Sequence, residues 1–241
     1  MTGSGRALRT TLLYTIAGLA VASPNRGAAR AETEPASRLL FGTLEAGPST
    51  FLTGGAKLAL DRIDRQGFVG LATLGAGTRR EGTSRRDTAT GAAVFGYQWF
   101  RDWGVIAAYA GVEGSLTALT AGSVTRLDPI RVGARLQGEI WARPGEATLL
   151  TATAILDTSR TAAWGRLSWG WRVEPCSGWG AYLGPELALY VDRTGYRKWN
   201  LGLHATDFTL GRFSLRSSVG LQFEPQGQPA PYVSLTAWTP W

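Results

Sequence analysis

The sequence is poor in the residues that build most catalytic and metal centres, with 1 Cys, 1 His and 1 Met in 241 residues. The single cysteine, Cys176, excludes an intrachain disulfide and a cysteine-based metal site. It stands in Pro175-Cys176-Ser177-Gly178, which reads as a turn, and it is expected to be an incidental turn residue. Charged residues make up only 18%. No apolar run reaches the roughly 18 residues of a membrane-crossing helix, so no internal helical anchor is expected. A phosphate-binding glycine loop is also missing: Gly54-Gly55 and Gly75-x-Gly77 read as glycines within strands. No metal-ligand cluster and no cofactor motif is found.

In their place are glycine, tryptophan and alternation: Gly 32 and Trp 10. The clearest stretch is 130–142, where Val132, Ala134, Leu136, Gly138, Ile140 and Ala142 are apolar or small and Arg131, Arg135, Gln137 and Glu139 fall between them. A period of two puts the two sets on opposite faces of a strand. A helix would also gather Arg131, Arg135 and Glu139 on one face. It would, however, carry Gly133 and Gly138 in its interior, and Pro144-Gly145 closes the stretch as a turn does. The strand is long as well. Soluble strands run about 5–6 residues, whereas a tilted strand crossing a bilayer takes about 9–11. Charges opposite Val, Leu and Ile suit a wall between water and hydrocarbon. Period alone leaves open a soluble sandwich or lipocalin-like barrel with its apolar face inside. Strand length, aromatic placement and targeting separate the two.

Residues 1–31 read as an export signal: Arg6 and Arg9 precede an apolar core over 11–22, and small-residue cleavage patterns occur at Ala20-Val21-Ala22 and Ala29-Arg30-Ala31. Removal after Ala31 takes away four Arg and no acid, so the net charge falls from +7 to +3. The basic balance therefore belongs largely to the leader and gives no support to a nucleic-acid partner. A linker over 32–38 then leads into one domain, 39–241.

Strands are expected over 39–47, 51–60, 67–78, 89–100, 103–116, 130–142, 147–156, 163–173, 179–191, 197–205, 212–223 and 232–241. That makes about 12 strands, an even number, in an all-β, up-and-down antiparallel transmembrane barrel of the outer-membrane type. Connections 61–66, 101–102, 143–146, 175–178 and 207–211 are short and alternate with others that include two long polar stretches, 79–88 and 117–129. Both long stretches lack an apolar period and are expected as exposed loops. Such sorting matches periplasmic turns and extracellular loops. Tyr97, Trp99, Trp103, Trp141, Trp179, Trp238 and Trp241 fall near strand ends, where an interfacial girdle would need them, although ordinary core aromatics are the alternative. Val233, Leu235, Ala237, Thr239 and Trp241 would share a face of the last strand, as in the terminal strand read by barrel-assembly machinery.

If the alternation holds, the lumen is lined by Arg131, Arg135, Gln137, Glu139, Arg166, Arg172, Glu186, His204, Arg212 and Arg216, together with Lys57, Gln98, Glu113, Lys198 and Gln222. Groups of both signs in a narrow lumen must pair with one another or with water. They would then either fill and shape the barrel, or line an aqueous path or a saccharide-binding surface. His204, Thr206 and Glu186 hold the parts of an acyl-transfer site, so a lipid-modifying barrel enzyme is a further alternative, weakened by threonine being a poor nucleophile. No catalytic residue and no cofactor is assigned.

Seven segments carry a family resemblance: LFGTLEAGPSTF (40–51), GYQWFRDWGV (96–105), LQGEIWARPGEATLLTATA (136–154), WGRLSWGWR (164–172), GAYLGPELALY (180–190), TGYRKWNLGLHATDF (194–208) and PYVSLTAWTPW (231–241). On these the chain resembles the cellulose biosynthesis protein BcsS family across 39–241. The resemblance implies an accessory role in making or exporting cellulose at the outer membrane. Its implied partners are outer-membrane lipid, the β-glucan chain and synthase or export subunits, with no functional residues to carry over. A general porin-like channel is the alternative role.

Overall fold

Strands that each carry one oily and one polar face either stack to cover the oily face or leave it on the outside, and this chain does the second. The computed structural model describes residues 36–173, 180–225 and 227–241. The expected signal 1–31, most of the 32–38 linker and the 175–178 turn with Cys176 lie outside the described residues. The strands are β1 (Arg38–Ala46), β2 (Thr50–Ala59), β3 (Gly67–Glu81), β4 (Ser84–Arg101), β5 (Gly104–Ala121), β6 (Val124–Leu127), β7 (Arg131–Ala142), β8 (Thr148–Asp157), β9 (Ala162–Val173), β10 (Ala181–Asp192), β11 (Arg197–Leu210), β12 (Phe213–Phe223) and β13 (Ala230–Pro240). Successive strands pair antiparallel, β5 passes over β6 to pair with β7, and β1 pairs with β13 from Leu39 opposite Pro240 to Ala46 opposite Val233. Twelve strands thus close on themselves, and β6 is a flap on the end of β5. Closure leaves no unpaired edge, which a wall in hydrocarbon requires.

The faces are sorted as the alternation in β7 predicts. Leu136 is 54% exposed and Leu74 73%, both outward, whereas Gln98, Glu113, Asn200, Thr206, Ser218 and Gln222 are each at most 1% exposed. Polar groups are inside and apolar ones outside, the inverse of a soluble core. One apolar cluster does lie within, where Val69, Leu71, Val94, Ala107 and Tyr109 fill the space against β3, β4 and β5. On the outer face near the end holding Arg38 and Trp241, here the proximal end, Phe68 stacks on Phe95 at 5.5 Å between centroids. Tyr97 meets Phe68 and Trp99, each at 5.1 Å, and the group forms a stretch of interfacial girdle. Trp141 and Trp238 do not join it. They pack edge-to-face at 6.0 Å and line the lumen, since their positions have inward parity.

The two stretches expected as long loops are strand instead. β3 and β4 run on to Glu81 and Ser84, joined by a two-residue turn with Gly82 at φ 59°. β5 likewise continues to Ala121 and turns through Gly122, at φ 60°, into β6. A positive φ at the first turn residue is what a tight hairpin asks of glycine. Thr50 of β2 pairs with Thr78, and Ser115 of β5 pairs with Arg131, so both hairpins project past their neighbours at the distal end. There both faces meet water, and an apolar period has nothing to face. β11 also outlasts its expected end at Ala205: a bulge at Asp207, with φ 68°, shifts the register, and pairing resumes to Leu210.

This orientation predicts unequal costs for a charge on the outer surface. Leu136→Arg, halfway along β7, should destabilise the barrel refolded in phospholipid vesicles by about 2–4 kcal/mol. Val124→Arg, on the flap beyond the bilayer, should cost about 0–1 kcal/mol. Urea titration followed by tryptophan fluorescence reads both.

Candidate functional site

Charges drawn into a lumen by strand parity lose hydration and must find partners, and here they do so in three groups. On β5 and β7, Glu113 is fully buried and accepts hydrogen bonds from Arg135 Nη1 at 2.7 Å, while Arg160 Nη2 pairs with it at 3.0 Å. Arg160 also pairs with Asp157 at 2.9 Å. The Arg135 Nη2 donates to Gln137 Oε1 at 2.6 Å, and Gln137 Nε2 donates to Glu139 Oε1 at 2.7 Å. Lys57 of β2 reaches Glu139 at 3.6 Å, lying over the Tyr109 ring.

The second group joins β8 to β13. Glu186 forms a buried ion pair with Arg216 and accepts from Ser218 Oγ at 3.0 Å. Arg216 Nη1 also donates to Thr151 Oγ1 at 2.9 Å, which shares a 2.7 Å hydrogen bond with Ser168 Oγ. His204 is bound through Nδ1 to Thr206 Oγ1 at 2.7 Å. Glu186 is turned to Arg216, Ser218 and Tyr232, so carboxylate, imidazole and hydroxyl do not make a relay.

The third group crosses the distal mouth. Lys198 pairs with Glu45 and donates to Ser49 Oγ at 3.2 Å. Tyr196 donates to Glu224 at 2.6 Å, and Gln222 donates to the same oxygen at 2.6 Å. Arg79 extends from β3 to Asp192 on β10 at 2.8 Å, keeps Glu81 at 2.6 Å, and lies 3.9 Å from the Tyr196 ring centroid. β3 and β10 stand six strands apart by either route around the barrel, so this strap joins opposite walls. At the proximal end Gln98 Nε2 donates to the carbonyls of Ile63 and Arg65 at 3.0 and 2.6 Å, holding the β2–β3 turn against the lumen. Between the ends remains a cavity of about 660 Å³.

The other wall is built differently. On β13, β1 and β2, Thr236, Thr43 and Thr53 stand in one row across the strands, and Thr43 and Thr236 share a 3.1 Å hydrogen bond. Phe51 lies along this wall against Gly75 and Gly77, where an added Cβ would come within 2.8 and 2.2 Å of its ring. The glycine spacing in β3 thus makes room for an aromatic ring.

Of the lumen candidates, Arg135, Gln137, Glu139, Glu186, His204 and Arg216 are brought into these groups. Arg166 lines the cavity, and Arg131 is half-buried four residues before Arg135 on the same face of β7. Arg172 is exposed near the end of β9, where its backbone N–H donates to the Ala147 carbonyl. Arg212 does not line the lumen. It sits exposed in the Gly211-Arg212 turn with its guanidinium over Phe213 at 5.3 Å, because β12 starts one residue later than the pattern implied. Trp241 is exposed, donates its N–H to the Arg38 carbonyl at 3.0 Å and lies under the Arg38 guanidinium at 5.2 Å. Thr239 keeps the outward parity of Val233 and Leu235 but is buried there, where it donates to the Arg212 carbonyl. Sequence reasoning missed Arg79, Glu81, Asp157, Arg160 and Asp192, which fall in stretches that read as connections or at strand ends. An Arg and an acid in the same connection, as in Asp157 to Arg160, was the available signal.

Breaking a buried pair leaves its partner charged and dry. Glu113→Ala should therefore cost about 3–5 kcal/mol in urea unfolding. The distal strap has a pH limit. Burial raises the Glu81 carboxyl, but hydrogen bonds from Arg86 and Arg79 outweigh it and hold the group below its ordinary range. A depressed carboxyl stabilises its contacts above the ordinary value and loses them as pH falls through the lowered one. Proteolysis of the β3–β4 hairpin should stay unchanged from neutral pH to about pH 4.5 and rise only below that.

Among solved structures, the chain is similar to the β domain of the Bordetella autotransporter BrkA, at 13% identity over 86% of this chain and 100% of that one, with a TM-score of 0.53. It also matches the translocator domain of the autotransporter NalP from Neisseria meningitidis at 12% identity, over 85% of this chain and 88% of that one, with a TM-score of 0.47. The first likeness shows the fold alone, a closed barrel of the outer-membrane type. No curated protein matches the chain. The family described as cellulose biosynthesis protein BcsS matches residues 39–241, which take in the barrel from the second residue of β1 onward. The chain belongs to the BcsS family of cellulose biosynthesis proteins.

Proposed function

We propose that the protein is exported to the bacterial outer membrane and supports cellulose biosynthesis or export there as a scaffold or narrow conduit, not as a catalyst. The observation that carries this reading is the lumen: charged groups on facing walls are tied together, and Arg79 straps β3 to β10 across the mouth. Such a lumen holds the barrel in shape and narrows it. Family membership supplies the link to cellulose. The outer apolar face meets outer-membrane lipid. The projecting β3–β4 and β5–β6 hairpins are placed to meet the β-glucan chain and the synthase or export subunits. A buried His204 whose Nδ1 contacts Thr206, with no carboxylate hydrogen-bonded to it among the described residues, speaks against lipid modification.

A porin-like channel is the second reading, favoured by the cavity of about 660 Å³. Planar-bilayer recording separates the two. The wild-type barrel should carry no steady ion current, and Arg79→Ala should produce open events; a large constant wild-type conductance would favour the porin. In cells, loss of the gene should lower secreted glucan and Congo-red binding. The wild-type copy should restore both, and a copy with Arg131, Arg135 and Glu139 replaced by Ala should restore less. Unchanged glucan in the deletion strain would remove the cellulose role.

A further inference from the structure

One cation in the lumen is treated differently from the rest. The cavity is lined by Lys57, Arg79, Arg86, Arg135, Arg160, Arg166, Lys198 and Arg216. Among the described residues, seven of these eight have a carboxylate oxygen within 4.0 Å, and Arg166 has none. Its guanidinium lies over the Trp164 ring, 5.5 Å from the centroid, and both side chains line the cavity. A guanidinium offers a planar pair of donors matched to a carboxylate or phosphate. A half-buried charge with no carboxylate in contact is incompletely compensated, and an incoming anion reduces that cost.

The surroundings of Arg166 set the rest of the ligand. On its own side, Trp164 pairs directly with Tyr190, Thr153 stands opposite Arg166, and Trp141 stands opposite Thr151 on the next strand. All of these side chains line the cavity. β9 faces β2, six strands away by either route, and there the cavity is lined by Thr53 and Phe51, with Lys57 of the same strand turned to Glu139. A ligand between the two walls meets one guanidinium not already paired with a carboxylate, ring faces suited to the apolar faces of a sugar, and hydroxyls that both donate and accept. The volume of about 660 Å³ is within the usual range of small-molecule sites, about 300–1,000 Å³.

We infer that the lumen holds a binding site for a small anionic saccharide, with Arg166 taking its carboxylate or phosphate and Trp164, Tyr190 and the threonine wall taking the sugar. The site stands on the geometry of the lumen and is independent of the role in cellulose biosynthesis. The barrel, purified in detergent, is titrated with glucuronate and with glucose 6-phosphate, and with glucose and cellobiose as neutral controls, following the fluorescence of the cavity tryptophans. Either acid, or both, should give a saturable change at concentrations where the neutral sugars give none, and which acid binds identifies the anionic group. Arg166→Gln should weaken acid binding at least ~10-fold. Arg166→Lys should keep part of it, since the charge remains and the fork is lost. A thermal melt no lower than that of the wild type shows that Arg166→Gln is folded, and removal of a cation without a carboxylate partner should not lower it. Arg79→Ala is titrated in parallel, so that a strapped mouth is not mistaken for a missing site; acid binding by that variant that disappears in Arg79→Ala/Arg166→Gln also supports the proposal. Neutral sugars binding as well as the acids, Arg166→Gln binding as the parent does, or no saturable change in either the wild type or Arg79→Ala would overturn it.

Discussion

The pairing of β1 with β13 turns a strip of alternating strands into a wall with two separate environments. Once the sheet is closed, every second side chain of every strand is confined to a space too narrow for ordinary hydration. The remaining side chains are left outside with nothing of the protein to cover them. The outward Leu, Val and Phe side chains then require hydrocarbon, and the inward Arg and Glu require one another. Each condition follows from closure, and neither would hold for the same strands laid in a sandwich.

The lumen meets its condition in two ways. From β5 through β12 it uses opposite charges and amides joined in short chains, such as Arg135 to Gln137 to Glu139, which Lys57 reaches from β2. From β13 through β3 hydroxyls and rings, with Phe51 lying on Gly75 and Gly77, stand among Glu45, Lys57 and Arg79, whose charges are paired to the first wall. Charged chains fix distances between strands because a lost partner leaves a dry charge. Threonines and rings carry no such penalty and leave a surface that another molecule can occupy. The cavity lies between these two walls. Arg166 belongs to the first wall by position and yet lacks the carboxylate that its neighbours have.

The fold was legible wherever one face of a strand meets lipid. In β7 the run from Val132 to Glu139 gives both parity and length, and the structure places Leu136 outside and Arg135 inside. It was not legible where both faces meet water. The distal hairpin residues Arg79 to Arg86 have no reason to alternate in hydropathy, and so they read as loop although they pair to Glu81 opposite Ser84. A single-residue bulge at Asp207 was equally invisible, since it depends on backbone register. The site was half legible. Parity named Arg135, Glu139, Glu186 and Arg216, but pairing across the lumen, as between Arg79 and Asp192, depends on which strands stand opposite, and no local pattern records that. Trp141 and Trp238 illustrate the same limit: position near a strand end suggested a girdle, whereas parity sends them inside.

Which face of the wall meets lipid is measured most directly along β7. In a Cys176→Ser background, single cysteines are placed in turn at positions 131 to 137, labelled with a fluorophore and reconstituted into vesicles containing lipids with a quencher in the acyl chains. The account predicts quenching that alternates with a period of two, strong at 132, 134 and 136 and weak at 131, 133, 135 and 137. Equal quenching along the strand, or strong quenching at 135 and 137 with none at 136, would contradict it.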